Sequence, residues 1–404
     1  MADLGPIIAT LGGLLLLGLI GDLLARRLPI PRVTLLILFG VAVGPAGAAP
    51  LPVDAESWYP FISNIALLIV GFLLGGKLSR ETLQSVGRQV LTISAGEVLG
   101  TSILVLAGLL LAGVPVELAL LLAGIAPASA PAAVTNVSEE LRAKGRFTDT
   151  LLGIVAIDDA WGLIVFSLLL ATAKALTGES SGLDALFHGG RELGGAIAIG
   201  LAVGVPAAYL TGRLRPGEPT QAEALGAVLL AGGAAIWLEA SFLLTAMILG
   251  AVIVNLASHH ERAFHEIAHI EWPFMVLFFI LAGASLDVSA LAEVGWIGGL
   301  YIALRAAGLI LGAGVGGLAS ASAGRLRRWI GIALLPQAGV ALGMALIAGN
   351  AFPELRSTIL PLVIGSTVVF EGIGPVLTRL AIAKAGEAGA AGAASQDDEA
   401  GAAR

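Results

Sequence analysis

The chain of 404 residues is 57% hydrophobic and only 13% charged, with 55 glycines, 18 prolines, no cysteine and a mean hydropathy of +0.94. Soluble domains devote about a quarter of their residues to charge, so this composition excludes a soluble enzyme and indicates a helical membrane protein. The missing cysteines remove disulfides, thiol redox chemistry and zinc-thiolate sites, and the net charge of −7 matters less than how charge is divided between loops and spans.

Apolar runs of about 17 to 25 residues, separated by charge, proline and turn residues, predict the membrane spans in chain order. The first, Leu4 to Ala25, has no basic flank ahead of it and is expected to be a retained span, not a cleaved leader. Val33 to Ala48, Pro60 to Leu78 and Val90 to Ala112 follow, the last holding Glu97. The fifth, Val116 to Val137, is interrupted by Pro127 and Pro131, and the sixth, Thr148 to Leu176, carries Asp158 and Asp159 side by side. Leu193 to Gly212, Ala222 to Leu238, Ser241 to Ala257 and Trp272 to Leu286 come next, then Val294 to Ala319 around Arg305. Trp329 to Ala348 contains Pro336 and Gly339, and Thr358 to Ile382 contains Glu371. The His-rich connection from His259 to His269 reads as a solvated cytoplasmic loop. From about Ala385 the small, polar, aperiodic residues predict a disordered tail, dispensable for chemistry.

These thirteen spans put basic residues on alternate connections. One set holds Arg26, Arg27, Arg32, Lys77, Arg80, Arg88, Arg142, Lys144, Arg146, Arg213, Arg215, Arg262, Arg325, Arg327, Arg328, Arg379 and Lys384, whereas the other holds Lys174, Arg191 and Arg356. The positive-inside rule then sets the N-terminus outside and the C-terminus in the cytoplasm. Six spans, a linker and six more fit two inverted six-helix repeats. A faint internal echo agrees, since Gly124, Ile125 and Ala126 recur as Gly331, Ile332 and Ala333, and the same shift carries Glu97 to the neighbour of Arg305.

Ionised groups in hydrocarbon cost at least about 2.5 to 3.5 kcal/mol on insertion scales, which makes each one a functional candidate. Glu97, Asp158, Asp159, Arg305 and Glu371 qualify, whereas Asp22 and Glu239 lie near span ends and can reach the interface. Adjacent residues on a helix point about 100° apart, so one aspartate can face a hydrated cavity while the other meets a protein partner. A carboxyl tuned by a like charge and a nearby cation can hold either a proton or a metal ion, which is the chemistry of an exchanger. Arg305 does not deprotonate and needs a counter-charge, for which Asp158 and Glu371 are available.

The two proline-interrupted spans leave backbone groups unpaired at membrane depth, a condition tolerated where they line a cavity or meet a neighbour. Paired broken helices in corresponding halves point to a transporter's ion site. Ser129, Asn136 and Gln337 on these spans offer neutral oxygens suited to a hard cation, without separating sodium from potassium or lithium. The chain has no HEXXH, GxSxG or phosphate-binding glycine loop, so a membrane-embedded enzyme finds no support. A passive channel or a scaffold would leave coupled intramembrane carboxylates unexplained.

The segments VAIDDAWGLIV, the broken stretch around Ala128 and Ser129, FFILAGASLDVSAL (Phe278 to Leu291), ALRAAGLILGA, WIGIALLPQAGVALG and FEGIGPVL together resemble the monovalent cation/proton antiporter superfamily, in its sodium/proton exchanger branch with paired aspartates. That resemblance implies an all-α polytopic membrane protein whose two broken helices cross, in a transporter domain spanning 1–384 with an ion-translocating core mainly in 90–176 and 294–382. It also implies a homodimer in the cell (inner) membrane, with no cofactor and no nucleic acid, moving Na+ (or K+ or Li+) against H+ by an elevator-like movement. By match Asp159 exchanges cation for proton and Asp158 partners the basic residue of the eleventh span, with Arg305, Glu371 and Glu97 tuning, and Ala128, Ser129, Pro131, Pro336 and Gln337 lining the site. Many such relatives carry lysine where Arg305 stands and threonine where Ala128 stands. An arginine in place of a proton-carrying lysine leads to the expectation that only Asp159 cycles, giving electroneutral exchange.

Overall fold

The computed structural model describes residues 4–25, 32–44, 55–85, 87–177, 182–210, 220–257, 260–284, 295–337 and 339–389. Arg26, Arg27, Arg213, Arg215, His259, residues 285–291 of the FFILAGASLDVSAL segment and residues 390–404 of the expected tail lie outside the described residues. The described residues hold helices and no strand: α1 (Leu4–Ala25), α2 (Arg32–Val43), α3 (Ala55–Gly76), α4 (Arg80–Ser85), α5 (Arg88–Leu111), α6 (Val116–Ile125), α7 (Pro131–Glu140) and α8 (Arg146–Thr177). The order continues with α9 (Gly182–Leu210), α10 (Thr220–Trp237), α11 (Phe242–Leu256), α12 (His260–Ala284), α13 (Gly295–Ala319), α14 (Gly324–Ala333), α15 (Gly339–Ala351) and α16 (Arg356–Ala385). Seven of them, α1, α5, α8, α9, α12, α13 and α16, are long and apolar enough to cross a bilayer, and six shorter apolar segments accompany them. The chain is a multi-pass membrane protein.

The two proline-interrupted spans are broken where expected. Pro127 falls in the gap after α6, and Pro131 opens α7 at a position where its missing N–H is no loss. Pro336 falls in the gap between α14 and α15. By contrast α9 and α12 run unbroken through Pro206 and Pro273, so proline alone did not distinguish a gap from a helix.

The chain divides into two compact units. One comprises Met1–Thr82, Leu170–Glu293 and Gly349–Pro361. In it α2 packs on α12, and α3 packs on α11 and α12. Backbones touch there: a Cβ on Gly40 would sit 2.0 Å from the Ile280 carbonyl oxygen, and one on Gly250 would sit 2.1 Å from that of Phe72. Such small-residue contacts let helices associate by dispersion where apolar lipid removes the hydrophobic drive. The His-rich segment expected as a loop is helical from His260, the first two turns of α12. Its amphipathic spacing explains this, since Ala263 and Ile267 are buried with Leu68, Phe72 and Leu249, and Phe264 stacks on Phe72 with centroids 4.6 Å apart. Asp22, expected at an interface, pairs with Arg32, whose guanidinium lies 3.5 Å over the Trp272 ring.

The other unit comprises Leu83–Leu169, Val294–Ala348 and Leu362–Arg404. Its centre is the α5–α13 pair, in which a Cβ on Gly312 would meet the Gly96 oxygen at 2.5 Å and the Glu97 Cα at 3.0 Å. Val134, Leu151, Ile154, Ile157, Leu309 and Ile330 form its apolar core. At one end Arg146 donates to Gln89 (2.9 Å), Gln89 donates to Ser322 (2.9 Å), and Arg379 pairs with Glu140. The connections that the charge alternation assigns to one side thus meet within this unit.

Gly312→Val is expected to destabilise the protein by about 1 to 3 kcal/mol through overpacking, whereas Gly299→Val, with nothing within 4 Å of its added Cβ, should leave the thermal midpoint in detergent unchanged. Thermal unfolding of the two variants side by side checks this.

Candidate functional site

Arg305 is fully buried on α13, and its environment defines the site. Nε donates to the Ala126 carbonyl at 2.9 Å, Nη2 to that of Ala128 at 2.8 Å, and Nη1 to that of Leu335 at 2.9 Å. These carbonyls lie at or just beyond the C-terminal ends of α6 and α14, where the helix leaves acceptors unsatisfied and its dipole is negative. One guanidinium therefore joins both helix breaks. Hydrogen bonds to a charged group contribute roughly 1.5 to 3 kcal/mol each, and the rigid planar fork of arginine aims donors from three separate nitrogens at the three carbonyls, whereas an ammonium carries its donors on a single nitrogen. The Phe370 ring, on α16, covers the guanidinium at 4.3 Å.

Glu97 and Asp158 lie within electrostatic reach of Arg305. Both are buried, at 0% and 1% exposure, and their side chains lie close enough to interact electrostatically. Thr101, one turn beyond Glu97, places its hydroxyl 3.5 Å from Glu97 Oε1. Asp159 is 3% exposed. Gly162, one turn further along α8, comes within 4.0 Å of the Ala128 nitrogen at its Cβ position, so this face of α8 lies against the α6–α7 break. Ala128 and Ser129 are fully buried in that break.

The second break is held from α16. Ser366 donates to Gln337 Oε1 at 3.2 Å, and Thr378 donates to the Ala333 carbonyl at 2.9 Å. Gly374 packs so close to Pro336 that a Cβ there would lie 2.7 Å from the proline Cα. Tyr301, one turn before Arg305, is fully buried and lies within electrostatic reach of the guanidinium. Glu371 is half-buried on α16 beside Phe370.

The structure therefore gathers Glu97, Asp158 and Arg305 with Ala128, Ser129, Pro336 and Gln337, and places Asp159 one residue from that cluster. Pro131 serves as the first residue of α7 and Glu371 sits at the margin. Sequence reasoning missed Tyr301, Thr101, Ser366 and Phe370. Tyr301 and Thr101 could have been found by helical spacing, as each stands four residues from an intramembrane charge, whereas nothing local marks Ser366 or Phe370.

Buried carboxyl groups beside a guanidinium held by the backbone of two interrupted spans are the equipment of an ion-coupled membrane transporter and not of an enzyme. The chain belongs to the family described as "Sodium/hydrogen exchanger, transmembrane", whose model matches residues 12–382. It is therefore a cation/proton antiporter. Its fold is that of the sodium/proton antiporter MjNhaP1 from Methanocaldococcus jannaschii, matched at pH 8 with a TM-score of 0.68 and 22% identity over 95% of this chain and 96% of that one. A second structure of the same antiporter gives a TM-score of 0.67 and 20% identity over 94% and 96%. The ammonium/H+ antiporter subunit AmhT of Alkalihalophilus pseudofirmus is 23% identical over 287 residues, 70% of this chain and 72% of that protein.

Replacing Arg305 by methionine removes the group that joins both breaks and leaves buried carboxyls without their cation. A destabilisation of about 3 to 5 kcal/mol is expected, with Arg305→Lys between it and the parent. Chemical denaturation in detergent, followed by tryptophan fluorescence, measures both.

Proposed function

We propose that this antiporter exchanges Na+ for H+ at Asp159 by alternating access, one cation for one proton and without net charge movement. The buried Asp158–Asp159 pair beside the guanidinium-held breaks carries this reading. Asp159 is taken as the carboxylate that accepts cation and proton in turn, and Asp158, which lies with Glu97 within electrostatic reach of Arg305, as the partner of that charge. Arg305 holds its charge through the cycle, so it contributes no second proton. Ser129 and Gln337 are the neutral oxygens proposed to line the cation path, and Glu371 tunes from the margin. Two inverted six-helix repeats, with α9 as linker, are supported by the packing: α2 on α12 is matched by α11 on α3, and α5 on α6 by α13 on α14. Thirteen spans, an outside N-terminus and a cytoplasmic C-terminus complete the proposed topology. The unit that holds Arg305 acts as the moving core, and the other unit as the homodimer scaffold in the cell (inner) membrane.

A second reading, with K+ or NH4+ as the exchanged cation, is favoured by the AmhT relative, whose name specifies ammonium. Proteoliposomes carrying a pH dye, with the membrane potential clamped at several values and Na+, Li+, K+ or NH4+ added, discriminate these. Sodium-dependent proton flux indifferent to voltage is the expected result. Voltage-sensitive coupled flux would instead place two protons on the pair, and coupling confined to K+ or NH4+ would move the assignment to the second reading. Asp159→Asn should lower coupled flux to the empty-liposome background while the protein still assembles, as size-exclusion chromatography reports; retained turnover would overturn the role of Asp159.

A further inference from the structure

Helix α8, which carries Asp158 and Asp159, begins without a capping residue of its own. The residue ahead of it is Gly145, at a positive φ of 146°, where ordinarily a Ser, Thr, Asp or Asn side chain would accept from the second and third helical amides. Glu387, from the far end of the chain, does this instead. Its Oε1 accepts from the Phe147 amide at 2.8 Å, and its Oε2 accepts from the Thr148 amide and the Thr148 hydroxyl, each at 2.9 Å. A Cβ on residue 145 would lie 2.4 Å from the Glu387 carboxyl carbon, so glycine is what makes room.

Glu387 is itself placed by a defined helix end. Gly386 takes φ 84° after α16. Its amide bonds to the Ala383 carbonyl at 3.0 Å and the Glu387 amide to that of Ile382 at 3.3 Å, the paired bonds of a Schellman ending. Two residues on, the Gly389 amide bonds to the Leu141 carbonyl at the end of α7 (2.9 Å). Residues 386–389 therefore do not form the start of a dispensable disordered tail. They fasten the ends of α16, α7 and α8 to one another.

We propose that Glu387 is a positioning residue for α8, holding Asp158 and Asp159 in register against the α6–α7 break. The inference rests on the reading of Asp159 as the exchanging group. The twelve helical steps from Arg146 to Asp158 span about 18 Å of continuous helix, so a shift at the capped end is carried to the carboxyl pair without a hinge.

Five proteins test this: the full chain, a truncation after Gly389, a truncation after Gly386, Glu387→Ala, and Glu387→Gln as the conservative variant that keeps one acceptor oxygen. Amide hydrogen exchange over residues 141–150 reads the clasp, and the half-saturating cation concentration and maximal rate in proteoliposomes read the site. Truncation after Gly389 should match the full chain. Truncation after Gly386 and Glu387→Ala should speed exchange at Phe147 and Thr148 at least tenfold. They should also raise the half-saturating cation three- to tenfold, with the maximal rate held within twofold, and Glu387→Gln should fall between. Unchanged amide exchange would overturn the clasp. Faster amide exchange with unaltered half-saturation would reduce Glu387 to a structural cap and overturn the positioning role. Absence of cation-coupled flux in the full chain, whatever the amide exchange shows, would overturn the antiport reading and the positioning role with it.

Discussion

A guanidinium buried beside two helix breaks is the constraint on which the site depends. Breaking a helix at membrane depth exposes carbonyls that no solvent can satisfy, and burying an arginine there strands a charge. Each problem answers the other: the carbonyls of Ala126, Ala128 and Leu335 need donors, and Arg305 has them in a planar fork. Removing either side would leave the other uncompensated. The carboxyl pair of Glu97 and Asp158 then sits in the field of a fixed positive charge that neither titrates nor moves away.

Close backbone packing makes this arrangement possible. The α5 and α13 axes approach until Gly96, Gly308 and Gly312 meet neighbouring main chain, which brings Glu97 and Arg305 from opposite halves of the chain into the same electrostatic neighbourhood. Larger residues at those crossings would separate the acid from the base by the width of a side chain. Small residues are thus part of the site although they carry no chemistry. The same device recurs in the other unit, where Gly40, Gly75, Gly250 and Gly283 take the equivalent role.

The places where sequence reasoning failed share a cause. The His260 to His269 segment looked like a loop because its mean polarity is high, yet Ala263 and Ile267 form an apolar stripe that only a packed neighbour reveals. Glu387 looked like part of a polar tail because its partners, Phe147 and Thr148, lie some 240 residues away. In each case the deciding contact is long-range, and composition is silent about it.

The sequence by itself determined the solvent and the chemical vocabulary. Its hydropathy demands a bilayer, its runs of apolar residues demand helices, and its few intramembrane charges mark Glu97, Asp158, Asp159, Arg305 and Glu371 as candidates for chemistry, because charge in hydrocarbon is costly. Only the tertiary structure decided how those charges are satisfied. Carbonyls carry no side-chain signature, so the acceptors that hold Arg305 are invisible in a list of residue types. The cap of α8 comes from the other end of the chain, because a glycine that provides no side chain also provides the space for one brought from elsewhere.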